Sequence, residues 1–187
     1  MRKIAITGNI ACGKTTVENI LKSKSYKVLD TDIVGHELLK NNEQVIKAFQ
    51  NFDIMDGSEI SREKLGKIVF NDKSKLELLN SILHPQISKK IEEFFKSNVN
   101  EECVFVSIPL LFESNMQNMF DKIIFIYTDD EIRLQRLITR NGYTKEYAQK
   151  RINAQMPQQD KINKCDIVIN NNGSIDKLKE QLELCSF

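Results

Sequence analysis

Five short runs of apolar, largely β-branched residues punctuate the chain, and stretches with helical periodicity fill the intervals between them. The runs at 3–7, 26–30, 103–108, Lys122–Tyr127 and 166–170 predict strands. Those at 103–108 and Lys122–Tyr127 are nearly continuous in apolar residues, the pattern of strands covered on both faces. Strands alternating with helices predict an α/β protein of three layers, built on a five-stranded parallel sheet with right-handed crossovers. The spacing is uneven. Between Asp32 and about Ser97 no run reads as a strand, and helical periodicity recurs at 33–40, 43–50, 62–70, 73–83 and 85–96. Leu83-His84-Pro85 opens the last of these, with Pro85 in its first turn. That is too much chain for one crossover, and it predicts a helical insertion over about 33–97 standing beside the sheet. A second charged stretch, 131–151, reads as helix broken at Asn141-Gly142, and it carries Arg133, Arg136, Arg140 and Arg151. Its part from about 136 to 151 has the make-up of a hinged lid.

The first strand runs into Gly8-Asn9-Ile10-Ala11-Cys12-Gly13-Lys14-Thr15, followed by Thr16. This is the pattern G-x-x-x-x-G-K-[ST], and its context is the one the chemistry requires: an apolar strand before it, and Val17, Ile20 and Leu21 at helical spacing after it. Glycines let the backbone curl so that successive N–H groups point at phosphate oxygens, and the helix aims its positive end at the same anion. Lys14 can reach the β- and γ-phosphates, and the Thr15 hydroxyl can sit on Mg²⁺. Open parallel sheets bind ligands outside the carboxyl ends of their strands. Those ends gather Asp30 and Asp32, Ile108-Pro109-Leu110-Leu111, Thr128-Asp129 and the segment 170–173 around the loop.

Length and charge narrow the function. At 187 residues the chain makes one domain with an insertion, and its net charge of +1 offers no broad field for nucleic acid or an anionic membrane. No apolar run is long enough to span a bilayer, and the chain enters a strand at once, so the expectation is a cytoplasmic protein. The cysteines Cys12, Cys103, Cys165 and Cys185 form no C-x-x-C pair and read as free thiols. Cys12 lies between a helix N-terminus and Lys14, a setting that lowers a thiol pKa, so it is expected to be alkylated first and to be shielded by nucleotide.

Three other groups carry chemistry. Asp30-Thr31-Asp32 follows the second strand; one carboxylate can orient an acceptor hydroxyl and take its proton, or the group can simply cap a helix. Arg136 and Arg140 share a helical face and can neutralise a phosphoryl group in transit, or pair on a solvated surface. Ile108-Pro109-Leu110-Leu111-Phe112-Glu113 is an apolar shelf with one carboxylate. No Asp ends the third strand, so magnesium is left to Thr15, the phosphates, water and Asp32. His84 caps, touches substrate or packs.

Together these pieces resemble the dephospho-CoA kinase family. The likeness rests on the loop at 8–16, Asp30-x-Asp32, Leu83-His84-Pro85, Pro109-Leu110-Leu111-Phe112-Glu113, Arg136 with Arg140, and Ile169-x-Asn171-x-Gly173. It implies transfer of the ATP γ-phosphate to the ribose 3′-hydroxyl of dephospho-CoA. With Mg²⁺ on Thr15, the expectation is an enzyme of small-molecule substrates, a monomer or weak oligomer. The resemblance further implies Asp32 as the base, with Lys14 and Arg140 stabilising the moving group. Gly8, Ala11, Cys12, Gly13, Lys14, Thr15, Thr16, Arg136, Asn171 and Gly173 would hold ATP. Asp30, Asp32, His84, Pro109, Leu110, Leu111 and Glu113 would hold dephospho-CoA. The family's loop usually reads G-G-I-G-S-G-K-[ST]; here Asn9, Ala11 and Cys12 depart from it. Asn9 suits left-handed backbone angles, whereas Ala11 needs a negative φ or is strained. Two other readings fit the loop alone: a kinase for another small hydroxylated acceptor, and a nucleotide-dependent switch. The switch usually needs an acid after the third strand, and Ser107-Ile108-Pro109 offers none.

Overall fold

The computed structural model describes residues 1–185 and 187. The chain divides into two compact units, residues 1–30 with 95–187, and residues 31–94.

The first unit is organised by a parallel sheet of five strands: β1 (Arg2–Thr7), β2 (Lys27–Asp30), β5 (Cys103–Ser107), β6 (Lys122–Tyr127) and β7 (Ile167–Asn170), in the order β2-β5-β1-β6-β7. All five lie within a residue or so of the apolar runs that predict them. For the central strands continuous burial explains this: every residue of β5 is buried, so no solvent face interrupts the run. Ile4, Ile6, Phe105, Ile124, Ile126 and Ile169 share one core. It is closed by Val17, Ile20 and Leu21 of α1 (Lys14–Ser23) and by Leu178 and Leu182 of α9 (Ile175–Leu184). The alternate residues Ala5, Val104, Val106 and Phe125 face the other side and are equally buried. Register brings the strand ends level, with Ser107 beside Ile6 on one side and Asp30 on the other. The remaining helices of this unit are α6 (Asp130–Asn141), α7 (Lys145–Asn153) and α8 (Gln158–Ile162). Helix α6 stops where the sequence breaks it, with Gly142 in a left-handed conformation at φ 65°. Leu134, Leu137, Ala148 and Ile152 then pack the α6–α7 pair together.

The second unit holds α2 (Thr31–Leu39), α3 (Glu43–Ala48), a hairpin of β3 (Met55–Asp56) and β4 (Glu59–Ile60), α4 (Arg62–Val69) and most of α5 (Lys73–Ser97). Leu39, Val45, Phe49, Ile54, Ile60, Leu65, Val69 and Leu79 form its core. The structure corrects the sequence reading twice here. The hairpin was not expected, because two residues per strand carry no periodicity. And α5 is one helix, not two that meet at Leu83-His84-Pro85; Pro85 lies inside it. A proline in a helix interior removes a hydrogen bond and costs about 3 kcal/mol, so packing on both sides must hold the helix together. Leu76, Ile82 and Leu83 pack on the core before Pro85. Directly after it, Gln86 accepts from Asn42 Nδ2 at 2.8 Å and donates to Gln44 Oε1 at 3.0 Å.

Asn42 is the hub of that arrangement. Its Oδ1 caps α3 by accepting from Val45 N–H at 3.2 Å, while its Nδ2 donates to Leu38 O and to Gln86. Replacing a capping Asn by Ala typically costs ~1 kcal/mol, up to 2. We expect Asn42→Ala to lower stability by about 1–2 kcal/mol in urea denaturation, with the loss followed by amide exchange in residues 31–94.

Candidate active site

The site is built on the turn between β1 and α1. Its outer glycine sits against neighbouring backbone: a Cβ on Gly8 would come within 2.7 Å of Ile126 O and 2.6 Å of Cys12 Sγ. Gly13 has φ 93°, a left-handed value, and a Cβ there would collide with the Asn171 side chain. Both glycines are thus required by shape.

What orients the loop is the fate of its carbonyls. Ile10 O accepts from Arg133 at 3.4 Å and Ala11 O from Arg136 at 3.1 Å. Cys12 O accepts from Thr128 Oγ1 at 3.0 Å and from Asn171 Nδ2 at 2.8 Å. In a planar trans peptide the N–H points opposite to the C=O. Pinning these carbonyls from behind therefore turns the Ala11 and Gly13 amides toward the other side. Among the described residues no side chain caps the N-terminus of α1, and its first turn carries no acid. The positive end of the helix is left for an anion. Lys14 folds back over the loop, its Nζ 3.3 Å from Gly8 O.

Arg136 also donates to Asn171 O at 3.0 Å, so one guanidinium links the loop to the end of β7. Arg133 is 1% exposed and ion-paired to Asp130 at 2.6 Å. Gln158 of α8 donates to the same carboxylate and to Thr128 O. Arg140 stays exposed, with Nε bonded to Asn141. Arg136, Arg140, Ala11, Gly13, Thr16, Asn171 and Gly173 line one cleft of about 410 Å³. The expected nucleotide residues at the helix start, the arginines and the 171–173 segment thus converge. Asn171 does more than line the cleft, since its side chain holds the loop.

Other expectations need revision. Asn9 has no positive φ; it is 2% exposed and donates to Met156 O at 2.9 Å, so its amide serves a tether. Ala11 does have a positive φ, 61°, and accepts that strain while packing with Ile10 against the α6–α7 pair. Cys12 is the reverse of the expected reactive thiol. It is 1% exposed, and burial pushes its pKa up; Lys14, Arg133 and Arg136 pull it down but do not outweigh burial. The shelf after β5 divides: Leu110 is exposed, Leu111 is wholly buried, and Glu113 is ion-paired at 2.6 Å to Lys161, which is itself buried. Pro109 follows at the strand end, its carbonyl 3.5 Å from Thr7 Oγ1. Asp30 ends β2. In the second unit, Asp32 is exposed in the first turn of α2. His84 is half-buried on α5, and burial holds its imidazole below the usual value, so it is neutral at pH 7.

Sequence reasoning named Thr128 at a strand end and Arg133 on the charged helix without giving either a role, and it missed Gln158 and Glu18. Thr128 lay at a strand end, which is a usable signal. Glu18 and Arg133 read as ordinary charged helix positions, and nothing local announces their burial. Glu18 is 4% exposed and accepts from Ser107 Oγ at 2.6 Å. Burial raises its pKa; the Ser107 bond opposes this, Asp30 adds to the rise, and Lys14 and Lys22 pull it back without cancelling it.

Fold and site together define a P-loop phosphotransferase. The family model for dephospho-CoA kinase matches residues 2–177. The dephospho-CoA kinase of Oceanobacillus iheyensis is 39% identical over 96% of this chain and 94% of its own length. That of Arabidopsis thaliana is 40% identical over 98% of this chain and 82% of its own. Among solved structures, the Campylobacter jejuni dephospho-CoA kinase superposes with a TM-score of 0.74 at 33% identity, covering 96% of this chain and 92% of that one. A shikimate kinase from Acinetobacter baumannii shares the fold at a TM-score of 0.55 and 15% identity, covering 98% of this chain and 92% of that one. The chain belongs to the dephospho-CoA kinase family, whose reaction is the ATP-dependent phosphorylation of dephospho-CoA to coenzyme A.

The buried thiol gives a direct check. Cys12 should react with a thiol reagent only as fast as the protein opens, with or without ATP. Mass-spectrometric mapping of native labelling should find Cys165 and Cys185 modified before Cys12, and Cys12 modified first would overturn the expectation.

Proposed function

We propose that this chain transfers the γ-phosphate of ATP to the ribose 3′-hydroxyl of dephospho-CoA, with the residue roles given below. The observation that carries the reading is the loop itself: carbonyls tied behind, amides and Lys14 in front, and a cleft holding Arg136 and Arg140 alongside.

In this mechanism the triphosphate lies along the loop amides and the N-terminus of α1. The base and ribose extend into the cleft toward Asn171 and Gly173. Lys14 leaves Gly8 O for the β- and γ-phosphate oxygens. Arg140, exposed on α6, adds its charge as the phosphoryl group moves. Asp32 takes the proton of the 3′-hydroxyl as that oxygen bonds to phosphorus; the bond from the γ-phosphorus to the bridging oxygen breaks, and ADP leaves. Exposure of Asp32 at the start of α2 supports the role. Asp30, His84, Pro109 and Leu110 are assigned to the acceptor, with neutral His84 as a hydrogen-bonding partner. Leu111 and Glu113 shape the shelf from below.

Hard-cation chemistry fits the donors present, since Thr15, Glu18 and Asp30 are all oxygen ligands. Mg²⁺ would neutralise charge on the β- and γ-oxygens; Thr15 would hold it. Among the described residues no cluster of three or more His, Cys, Asp or Glu could hold a metal alone. The phosphates must therefore supply part of the shell. We assign the protein to the cytoplasm, as a monomer or weak oligomer; among the described residues no helix is long and apolar enough to cross a membrane.

The test is ADP release with Mg-ATP across a panel of acceptors. Dephospho-CoA should support turnover and nucleoside monophosphates should not; the opposite ranking would reassign the acceptor. Asp32→Asn should lower kcat by roughly 10²–10⁴-fold, whereas a loss confined to KM would make Asp32 a binding residue. Lys14→Ala should nearly abolish turnover with the fold intact.

A further inference from the structure

In P-loop phosphotransferases the cation is commonly shared between the loop hydroxyl and an acid on a neighbouring strand. Here the strand beside β1 ends in Ser107, with Ile108 and Pro109 after it, so the strand brings no acid. A carboxylate is nevertheless held there. It comes from α1: Glu18 lies three residues after Thr15 and four after Lys14, on the same helical face. Its Oε1 accepts from Ser107 Oγ at 2.6 Å, which fixes the side chain against the end of β5. Its Oε2 makes no hydrogen bond among the described residues, and no lysine or arginine there pairs with it. Yet the residue is 4% exposed, and Asp30 stands beside Ser107 on the next strand. A carboxylate so deeply placed, near a second one and with Lys14 and Lys22 acting on it only from beyond ion-pair distance, is costly unless a further positive charge arrives with the ligand.

We propose that Glu18 is the positioning carboxylate for the divalent cation that accompanies ATP, delivered from α1 to the place where a strand-end acid would otherwise stand. Ser107 is its holder: the hydroxyl orients Oε1 and leaves Oε2 for the cation or one of its waters. Strand and helix have exchanged parts, the strand giving the hydroxyl and the helix the charge. This rests on the nucleotide reading of the loop.

The experiment measures ATP affinity by calorimetry with and without MgCl₂, and Mn²⁺ uptake in the presence of ADP by electron paramagnetic resonance. Wild type should bind ATP more tightly with Mg²⁺. Glu18→Gln keeps the hydrogen bond to Ser107 and loses only the charge; it should cut this Mg²⁺ enhancement and the Mn²⁺ affinity roughly 10–100-fold, with affinity for ATP alone unchanged. Glu18→Ser should do the same, and the relocated carboxylate in Glu18→Ser with Ser107→Asp should recover most of the loss. Full cation coupling in Glu18→Gln, or no recovery in the double variant, overturns the proposal. ATP binding to wild type that is indifferent to Mg²⁺ also overturns it while leaving the nucleotide site standing; absence of any ATP binding sinks the nucleotide reading itself.

Discussion

Everything at the site depends on where three loop carbonyls point. A backbone that curls around an anion must turn its own acceptors away, and those acceptors need partners once they are buried. Arg133, Arg136, Thr128 and Asn171 supply them for Ile10, Ala11 and Cys12. Two consequences follow from this one arrangement. The amides are fixed before any ligand arrives, so little reorganisation is left to the bound state. And the loop, the end of β7 and helix α6 are held by common bonds. The apolar positions add to this, since Ile10 and Ala11 pack with the residues that join α6 to α7. The unfavourable φ of Ala11 persists because bonds on both sides hold it: Gln155 Oε1 accepts from the Ile10 amide at 2.7 Å, and Arg136 takes the Ala11 carbonyl.

The three arginines of α6 divide the work by depth. Residues 133, 136 and 140 recur at helical spacing along one side, yet Arg133 is buried, Arg136 half-buried and Arg140 exposed. The deepest pairs with Asp130 and spends its charge on structure. The middle one joins two carbonyls and still borders the cleft. Only the outermost keeps a guanidinium facing solvent, bonded merely to a neighbouring amide. A chain with a net charge of +1 thereby concentrates positive charge beside the phosphate loop without becoming basic overall.

The central strands were legible in the sequence because they are buried along nearly their whole length, and the helices because each buries one face at a regular spacing. The loop was legible because its glycines and lysine have no cheaper substitutes. What escaped depended on distant partners. Pro85 locally signals a helix start, but Gln86 is anchored by Asn42 and Gln44, and tertiary packing overrides the local rule. Cys12 has the neighbours of an acidic thiol, and only the folded core around it reverses the sign. Leu110 and Leu111 look alike in sequence, while one is exposed and the other core. Glu18 reads as a surface charge until Ser107, eighty-nine positions away, is seen to hold it.

In the proposed mechanism, the contrast between fixed and mobile donors lets a rigid loop serve a moving phosphoryl group. Amides set by planar peptides cannot follow a charge that migrates. In that mechanism Lys14 and Arg140 do, because each is now bonded only to a neutral oxygen, Gly8 O or Asn141 Oδ1. The bond from Lys14 Nζ to Gly8 O is 3.3 Å long and made to a neutral acceptor. A bond from the ammonium to a phosphate oxygen would be shorter, near 2.7–2.9 Å, and would add the attraction of opposite charges. In the proposed mechanism the lysine rests on a poor partner until the triphosphate offers a better one. Exchanging the carbonyl for a phosphate oxygen is downhill, and it needs only rotation of a flexible stem, with the loop beneath it unchanged.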